Sequence, residues 1–401
     1  MRMAKQPVLT FNENGIYCPA GDFYIDPWRP VDRALITHGH SDHARWGMNR
    51  YLATDIALPV MRHRLGDITA EGITYGEVRQ IGGAQVSFHP AGHVPGSAQI
   101  RVEVDGEVWV ASGDYKVVDD GLSDPFEPVK CHHFITESTF GLPVFRWADQ
   151  STVAAEINAW WAGCAAQGKT AFLGAYALGK AQRLLSMLDP DVGPILTHTA
   201  TENTNRVLRD QGITLPDTIL ADADLNPKDH AGAIVLAPPG ALGSAWSKKF
   251  GPQETAFASG WMAVRGVRRR RAGDRGFIIS DHADWDGLLS AIKATEAENI
   301  YVTHGYTDVF SRYLADSGWQ AQVVQHIEGT CEMFSSDTRS RFMHAVDWLS
   351  SWACSRQFGL GTRLPFDETQ LIESLSDSTL YMAFYTISHL LPGASSLSPV
   401  S

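Results

Sequence analysis

The stretch Thr37-His38-Gly39-His40-Ser41-Asp42-His43 closes the short apolar run Ala34–Thr37. Four side chains able to ligate a metal fall within six residues. In an extended segment, side chains two residues apart point to one side, so His38 and His40 can share a cation. A turn into a helix at Ser41 would carry Asp42 and His43 to a second. Imidazole and carboxylate together suit zinc, with manganese or iron as further candidates. Four ligands cannot close two sites, and further donors stand at strand ends downstream. These are His93 in Ala91-Gly92-His93, Asp114 in Ser112-Gly113-Asp114 and His304 in Val302-Thr303-His304-Gly305. A carboxylate such as Asp114 can bridge two cations.

Outward from this motif, the first third of the chain reads as short strands, many of them rich in Val and Ile, and most ending in a polar residue. They are Ala34–Thr37, Gln85–His89, Ala98–Val104, Glu107–Ser112 and Phe134–Thr136, with Phe23-Tyr24-Ile25 as another strand-like run. From about Phe145 the texture changes. Ser151 is the expected N-cap of a helix over Thr152–Gln167, followed by a strand at Thr170–Ala175 and a helix-like segment Leu178–Leu188. Strands at Ile195–Thr197 and Ile234–Ala237 continue an alternation that implies a small parallel sheet. Beyond an arginine run, Phe277–Ser280 reads as a strand, Trp285–Thr295 as an amphipathic helix and Ile300–Thr303 as a strand. An α/β domain inserted at residues 145–275 into a first domain (1–144, resuming at 276–328) fits these textures. The remainder, 329–401, reads as helical over Asp337–Ser351 and Glu368–Leu391, with a Ser-rich end.

At 401 residues the chain has material for two or three domains, and 44% apolar with 19% charged residues is an ordinary globular balance. A formal charge of −12 excludes a uniformly basic nucleic-acid coat, so a polyanion must be met by a local patch or by metal. No apolar run approaches the ~18–20 residues that span a bilayer, and the first residues lack the apolar core of a signal peptide. Five scattered cysteines without a CxxC pair argue against a disulfide framework or a thiolate zinc site. The expectation is a soluble, reduced, cytoplasmic protein with no membrane association.

These residues resemble the metallo-β-lactamase superfamily, and within it the β-CASP nuclease branch. His38, His40, Asp42 and His43 match the superfamily's HxHxDH motif, His93 and Asp114 its next two ligand motifs, and Asp26 a supporting aspartate. Thr136-Glu137-Ser138-Thr139-Phe140-Gly141, Ser280-Asp281-His282-Ala283-Asp284 and His304 resemble the three β-CASP motifs. Ala177-Leu178-Gly179-Lys180-Ala181-Gln182-Arg183-Leu184 resembles that branch's inserted domain. The similarity runs over about residues 10 to 328. It is closest to bacterial ligase-associated DNA damage response exonucleases, which share stretches like Cys18-Pro-Ala-Gly-Asp-Phe and Phe257-Ala-Ser-Gly-Trp-Met. The resemblance implies an αββα sandwich with an inserted β-CASP α/β domain, and a DNA repair exonuclease with DNA ligase or helicase partners. DNA is favoured over RNA by the whole-length likeness. His304 leans the other way, because a histidine there is usual in RNA-cutting members.

Two cations ~3.5–4 Å apart can activate water and hold the phosphoryl oxygens. On this reading His38, His40, His93 and Asp114 take the first zinc, and Asp42, His43, Asp114 and His304 the second, with Asp42 also counted as catalytic. His282 is then free to act as general acid, oriented by Glu137. The only dense basic cluster, with Arg268, Arg269 and Arg270 at its centre, is the candidate grip on phosphates. Lys180, near a helix start, adds a phosphate contact, while Trp261 reads as a buried aromatic rather than a base-stacking one. A β-CASP ribonuclease and a small-molecule metallo-hydrolase are the competing functions. The inserted domain argues against the second.

Residues from about Thr330 to Gly393 instead resemble a fragment of the eukaryotic and archaeal type of leucyl-tRNA synthetase. The matching stretches begin at Ala353-Cys-Ser-Arg-Gln-Phe and Leu371-Ile-Glu-Ser-Leu-Ser. No HIGH-type or KMSKS-type motif accompanies it, so such a piece cannot activate an amino acid. It reads as a fused or misassembled remnant.

Overall fold

The computed structural model describes residues 7–264 and 275–323, together with the short strands Ser355–Arg356, Arg363–Leu364 and Asp367–Ile372. The chain divides into two compact units, Met1–Glu328 and Gly329–Ser401.

The first unit opens with a six-stranded sheet in chain order: β1 (Thr10–Asn12), β2 (Gly15–Cys18), β3 (Phe23–Ile25), β4 (Arg33–Leu35), β5 (Arg50–Thr54) and β6 (Ala70–Ile73). Helix α1 (Ala57–Leu65) lies between β5 and β6 in the chain. A second, seven-stranded sheet begins with the antiparallel run β7 (Val78–Ile81), β8 (Ala84–Pro90), β9 (Ala98–Val104) and β10 (Glu107–Ala111), then pairs β10 parallel with β11 (His133–Ser138). Strand alternation decides which faces meet. Val86, Phe88, Ile100, Val102, Ala111 and Ile135 share a buried cluster with Phe23, Ile25 and Leu35, so the two sheets pack face to face. The opposite residues Val108, Val110 and Phe134 belong to a different buried cluster.

A third sheet draws all its strands from residues 170 to 277. It contains β12 (Thr170–Gly174), β13 (Ile195–Thr197), β14 (Ile219–Leu220), β15 (Ile234–Ala237), β16 (Gln253–Ala258) and β17 (Arg275–Phe277), in the order β14-β13-β15-β12-β16-β17. Every pairing in it is parallel. Helices α2 (Gln150–Ala166) and α3 (Lys180–Leu185) bury Ile157, Trp161 and Leu184 against Leu173, Leu236 and Ala256. Helix α4 (Thr199–Asp210) follows β13, and the short α5 (Ala245–Lys248) precedes β16.

The chain then returns to the second sheet. Helix α6 (Trp285–Thr295), strand β18 (Asn299–Gly305), helix α7 (Thr307–Asp316) and strand β19 (Gln320–Val323) follow in order. β18 inserts beside β11, parallel to it. Leu288 and Ile292 of α6, with Phe310 and Leu314 of α7, cover Val108, Val110, Phe134, Ile300 and Val302. On the other side, Ala57, Leu58 and Met61 of α1 cover Ala34, Tyr51 and Ala53. Among the described residues no helix is long and apolar enough to cross a membrane.

Several element boundaries differ from the sequence reading. α2 begins at Gln150 after Asp149, so Ser151 is inside the helix and not its cap. α3 is shorter than Leu178–Leu188, because Gly179 sits at φ +81°, outside helical space. The strand expected over Phe277–Ser280 stops at Phe277, since the Ile279 and Ser280 carbonyls go to Lys180 and Arg183 and not to a sheet partner. Ser41 starts a single turn, with the Ala44 amide on the His40 carbonyl, rather than a helix. In the second unit, Asp367–Ile372 is a strand, paired antiparallel with Ser355–Arg356 and Arg363–Leu364, where a helix over Glu368–Leu391 was expected. The helix expected at Asp337–Ser351 lies outside the described residues.

Candidate metal centre

The ends of β4, β8, β10, β11 and β18 deliver the candidate residues to one place. His38 Nε2 lies 3.0 Å from His40 Nδ1, and His93 Nε2 lies 3.1 Å from the same atom. Asp114 Oδ2 stands 3.6 Å from His38 Nε2 and 3.7 Å from His93 Nε2. One donor atom from each of these four side chains falls within 4.8 Å of the others.

The outward-facing nitrogens fix where the ring protons are. His40 Nε2 is 3.2 Å from the Leu178 carbonyl and His93 Nδ1 is 2.8 Å from the Asp281 carbonyl. A carbonyl can only accept, so both nitrogens carry hydrogen. The Thr37 hydroxyl donates to Asp26 Oδ2 at 2.5 Å, which leaves its oxygen to accept from His38 Nδ1 at 3.1 Å. Three unprotonated nitrogens therefore face one another, a costly arrangement in a buried site unless a cation sits among them. Burial pushes the pKa of His38 and His93 well below the ordinary value, so both stay neutral and able to ligate.

His43 adds a second front. Its Nδ1 donates to Asp26 Oδ2 at 2.7 Å, while its buried Nε2 makes no hydrogen bond and lies 3.4 Å from Asp114 Oδ2 and 3.9 Å from Asp42 Oδ2. The His304 ring stacks on His43 with centroids 5.6 Å apart. Burial raises the pKa of Asp114, but the neighbouring His43 and His282 outweigh it and hold the carboxyl well below its usual range. Asp26 and His304 both adopt positive φ, +43° and +54°, strained values for such residues that here aim side chains into the site. Gly113 also has positive φ, and a Cβ there would come within 2.6 Å of Thr37 Cβ, so only glycine lets the end of β10 approach the histidine loop.

Beside the cluster, His282 Nδ1 is 2.9 Å from both Glu137 oxygens. Glu137 is itself held by the Tyr115 amide at 2.9 Å. Burial lowers the His282 pKa, but the Glu137 and Asp114 carboxylates outweigh it and raise the ring to about 9. His40, Asp42, His93, Asp114, His282 and His304 border a cleft of about 490 Å³ that also meets Phe140, Tyr176, Lys180 and Trp261. Trp261 is half-buried against Phe140, 5.0 Å between centroids, and not fully enclosed.

Lys180, expected at a phosphate, is 6% exposed and already paired with Asp281 at 3.1 Å. Arg268, Arg269 and Arg270 lie outside the described residues. Sequence reasoning missed Thr37, Leu178 and Asp281 as partners of the histidines. Two of these act through backbone carbonyls, which leave no compositional trace.

No family model matches the chain. It is 29% identical over 315 residues to a protein named Probable DNA ligase from Opitutus terrae, covering 78% of this chain and 30% of that one. It is 48% identical over 93 residues to the cytoplasmic leucine–tRNA ligase of Dictyostelium discoideum, covering 23% of this chain and 8% of that protein. The chain thus spans less than a third of the length of these relatives. Among solved structures it is similar to a protein of unknown function from Enterococcus faecalis V583, with a TM-score of 0.48 and 11% identity, over 68% of this chain and 75% of that one.

Proposed function

We propose that this chain is a metal-dependent nuclease of the β-CASP branch of the metallo-β-lactamase superfamily, hydrolysing phosphodiester bonds of DNA from an end, in DNA repair. The observation that carries this reading is the convergence of three imidazole nitrogens and the Asp114 carboxylate, next to a His282–Glu137 pair, on the wall of an open cleft. His38, His40, His93 and Asp114 would hold one zinc, and Asp42, His43, Asp114 and His304 a second. Bound there, zinc, or manganese in its place, lowers the pKa of water toward neutrality and draws charge from the phosphoryl oxygens.

The chain's own side chains supply the proton chemistry. Glu137 holds Nδ1 of His282, which leaves Nε2 as the other proton-bearing atom of a ring that lines the cleft. The ring is protonated at neutral pH and gives its Nε2 proton to the departing oxygen, so the leaving group departs as an alcohol and not as an alkoxide. The two face-to-face sheets with helices on their outer sides, and the separate parallel sheet, support the assignment to this branch. The relative named Probable DNA ligase favours DNA.

Digestion of 5′- and 3′-end-labelled DNA and RNA, with and without EDTA, tests the reading. The expected result is chelator-sensitive shortening of DNA from one end. Cleavage of RNA with DNA left intact would move the assignment to a ribonuclease. Turnover of lactone or thioester substrates with neither nucleic acid cut would overturn it.

A further inference from the structure

We infer that Lys180, Gln182 and Arg183 of α3 are positioning residues for the metal centre: they fix the two backbone carbonyls that set the tautomers of His40 and His93. The inference rests on the metal-centre reading above and adds to it a role for a helix that carries no ligand.

The carbonyl of Leu178 receives His40 Nε2, and both of its flanks are held by one side chain. Gln182 Oε1 accepts from the Gly179 amide at 2.8 Å, and Gln182 Nε2 donates to the Ala177 carbonyl at 2.9 Å and to Asn205 Oδ1 at 2.7 Å. Gly179 is needed there, because at φ +81° a Cβ would fall 2.2 Å from Val94 Cγ1, beside His93. The carbonyl of Asp281 receives His93 Nδ1, and here the cations of α3 do the holding. Asp281 lies between Lys180 Nζ at 3.1 Å and Arg183 Nη1 at 3.4 Å. Arg183 also donates to the Ser280 carbonyl, and its Nε donates to Gln150 Oε1 at 2.8 Å. Lys180 reaches the Ile279 carbonyl at 3.5 Å.

All three side chains are buried, as is Asp281. A buried guanidinium with each of these partners in place has few alternative positions, so the 279–281 backbone is pinned. Groups that orient a ligating histidine typically change metal affinity 10–100-fold when removed. Arg183 does not border the cleft, so its effect is separable from any contact with substrate.

The test is Co²⁺ titration of the full chain, followed by visible absorption and chelator competition, with Tm measured in EDTA as a control on folding. Arg183→Met is expected to melt cooperatively, to bind Co²⁺ about 10–100-fold more weakly and to shift the cobalt absorption bands. Arg183→Lys, which keeps the charge beside Asp281, is expected to recover most of the affinity. A cooperatively melting Arg183→Met with the wild-type cobalt affinity and spectrum would overturn the inference. Should Arg183→Met not fold, Asp281→Asn is judged by the same two readouts: weakened, shifted cobalt binding supports the clamp, and unchanged binding overturns it. Wild-type protein that takes up no cobalt would overturn the metal-centre reading itself, a result distinct from unequal binding among variants.

Discussion

His282 and Glu137 are separated by 145 residues in sequence, yet the ring and the carboxylate meet at 2.9 Å. That pairing makes a sharp prediction, because neither residue belongs to the four-ligand cluster around His40, while with Asp114 the two form a second group whose donor atoms lie close enough to hold a metal. His282→Ala is expected to lower turnover on a nucleic-acid substrate by ~10²–10⁴-fold while metal content by elemental analysis stays at the wild-type value. Loss of metal in that variant would make His282 a ligand and remove it as the acid. Glu137→Gln should give a smaller loss of turnover, since the amide still reaches Nδ1 but no longer favours the charged ring. Much of this site is legible from residues alone. A density of His and Asp after an apolar strand has few uses besides metal binding, and the later donors stand at strand ends. What the sequence hides is the direction of each imidazole. That is set by the carbonyls of Leu178 and Asp281, and a carbonyl is common to every residue type.

At the scale of elements, Glu202 on α4 shows how a buried carboxylate ties a helix to a sheet edge. It accepts from Thr197 Oγ1 at 2.7 Å at the end of β13, from Thr218 Oγ1 at 2.7 Å just before β14, and from Arg209 Nη1 at 3.0 Å on its own helix. Burial raises its pKa, but the hydroxyl donors, Asn205 and the Arg209 charge outweigh that and leave it below the ordinary value. The folded state therefore binds fewer protons here than the unfolded chain. The contribution to stability is complete above an unfolded pKa of about 4.3 and is lost as pH falls through the lowered folded value. Glu202→Gln is expected to cost about 1–3 kcal/mol near neutrality and to flatten the acid side of the stability curve, read by urea unfolding between about pH 3 and 7. An unchanged acid slope would remove Glu202 as the source. Strands such as Ala98–Val104 and helix α6 are readable because alternation and amphipathic spacing mark them. Boundaries near Gly179 and Phe277 are not, because a positive φ at Gly179 stops the helix and the distant Lys180 and Arg183 take the carbonyls that would extend the strand.

For the whole molecule, the likenesses cover unequal shares of the chain. One relative matches 78% of the chain and carries the name of a DNA ligase, while the leucine–tRNA ligase likeness takes up 23%. Every candidate ligand, the His282–Glu137 pair and the lining of the cleft lie within the compact unit Met1–Glu328. That unit has its own core between two sheets, further clusters under the outer helices and a separate core around the parallel sheet. A unit that buries this much apolar surface by itself has what independent folding requires. Truncation after Glu328 is therefore expected to leave cooperative melting, metal content and any chelator-sensitive nuclease activity within about twofold of the full chain, a difference worth less than half a kcal/mol. The comparison is made by calorimetry, elemental analysis and end-labelled DNA digestion on the two chains side by side. A truncated chain that melts without cooperativity would mean that the remaining residues complete the fold. One that melts normally but holds no metal would place part of the centre's support beyond Glu328.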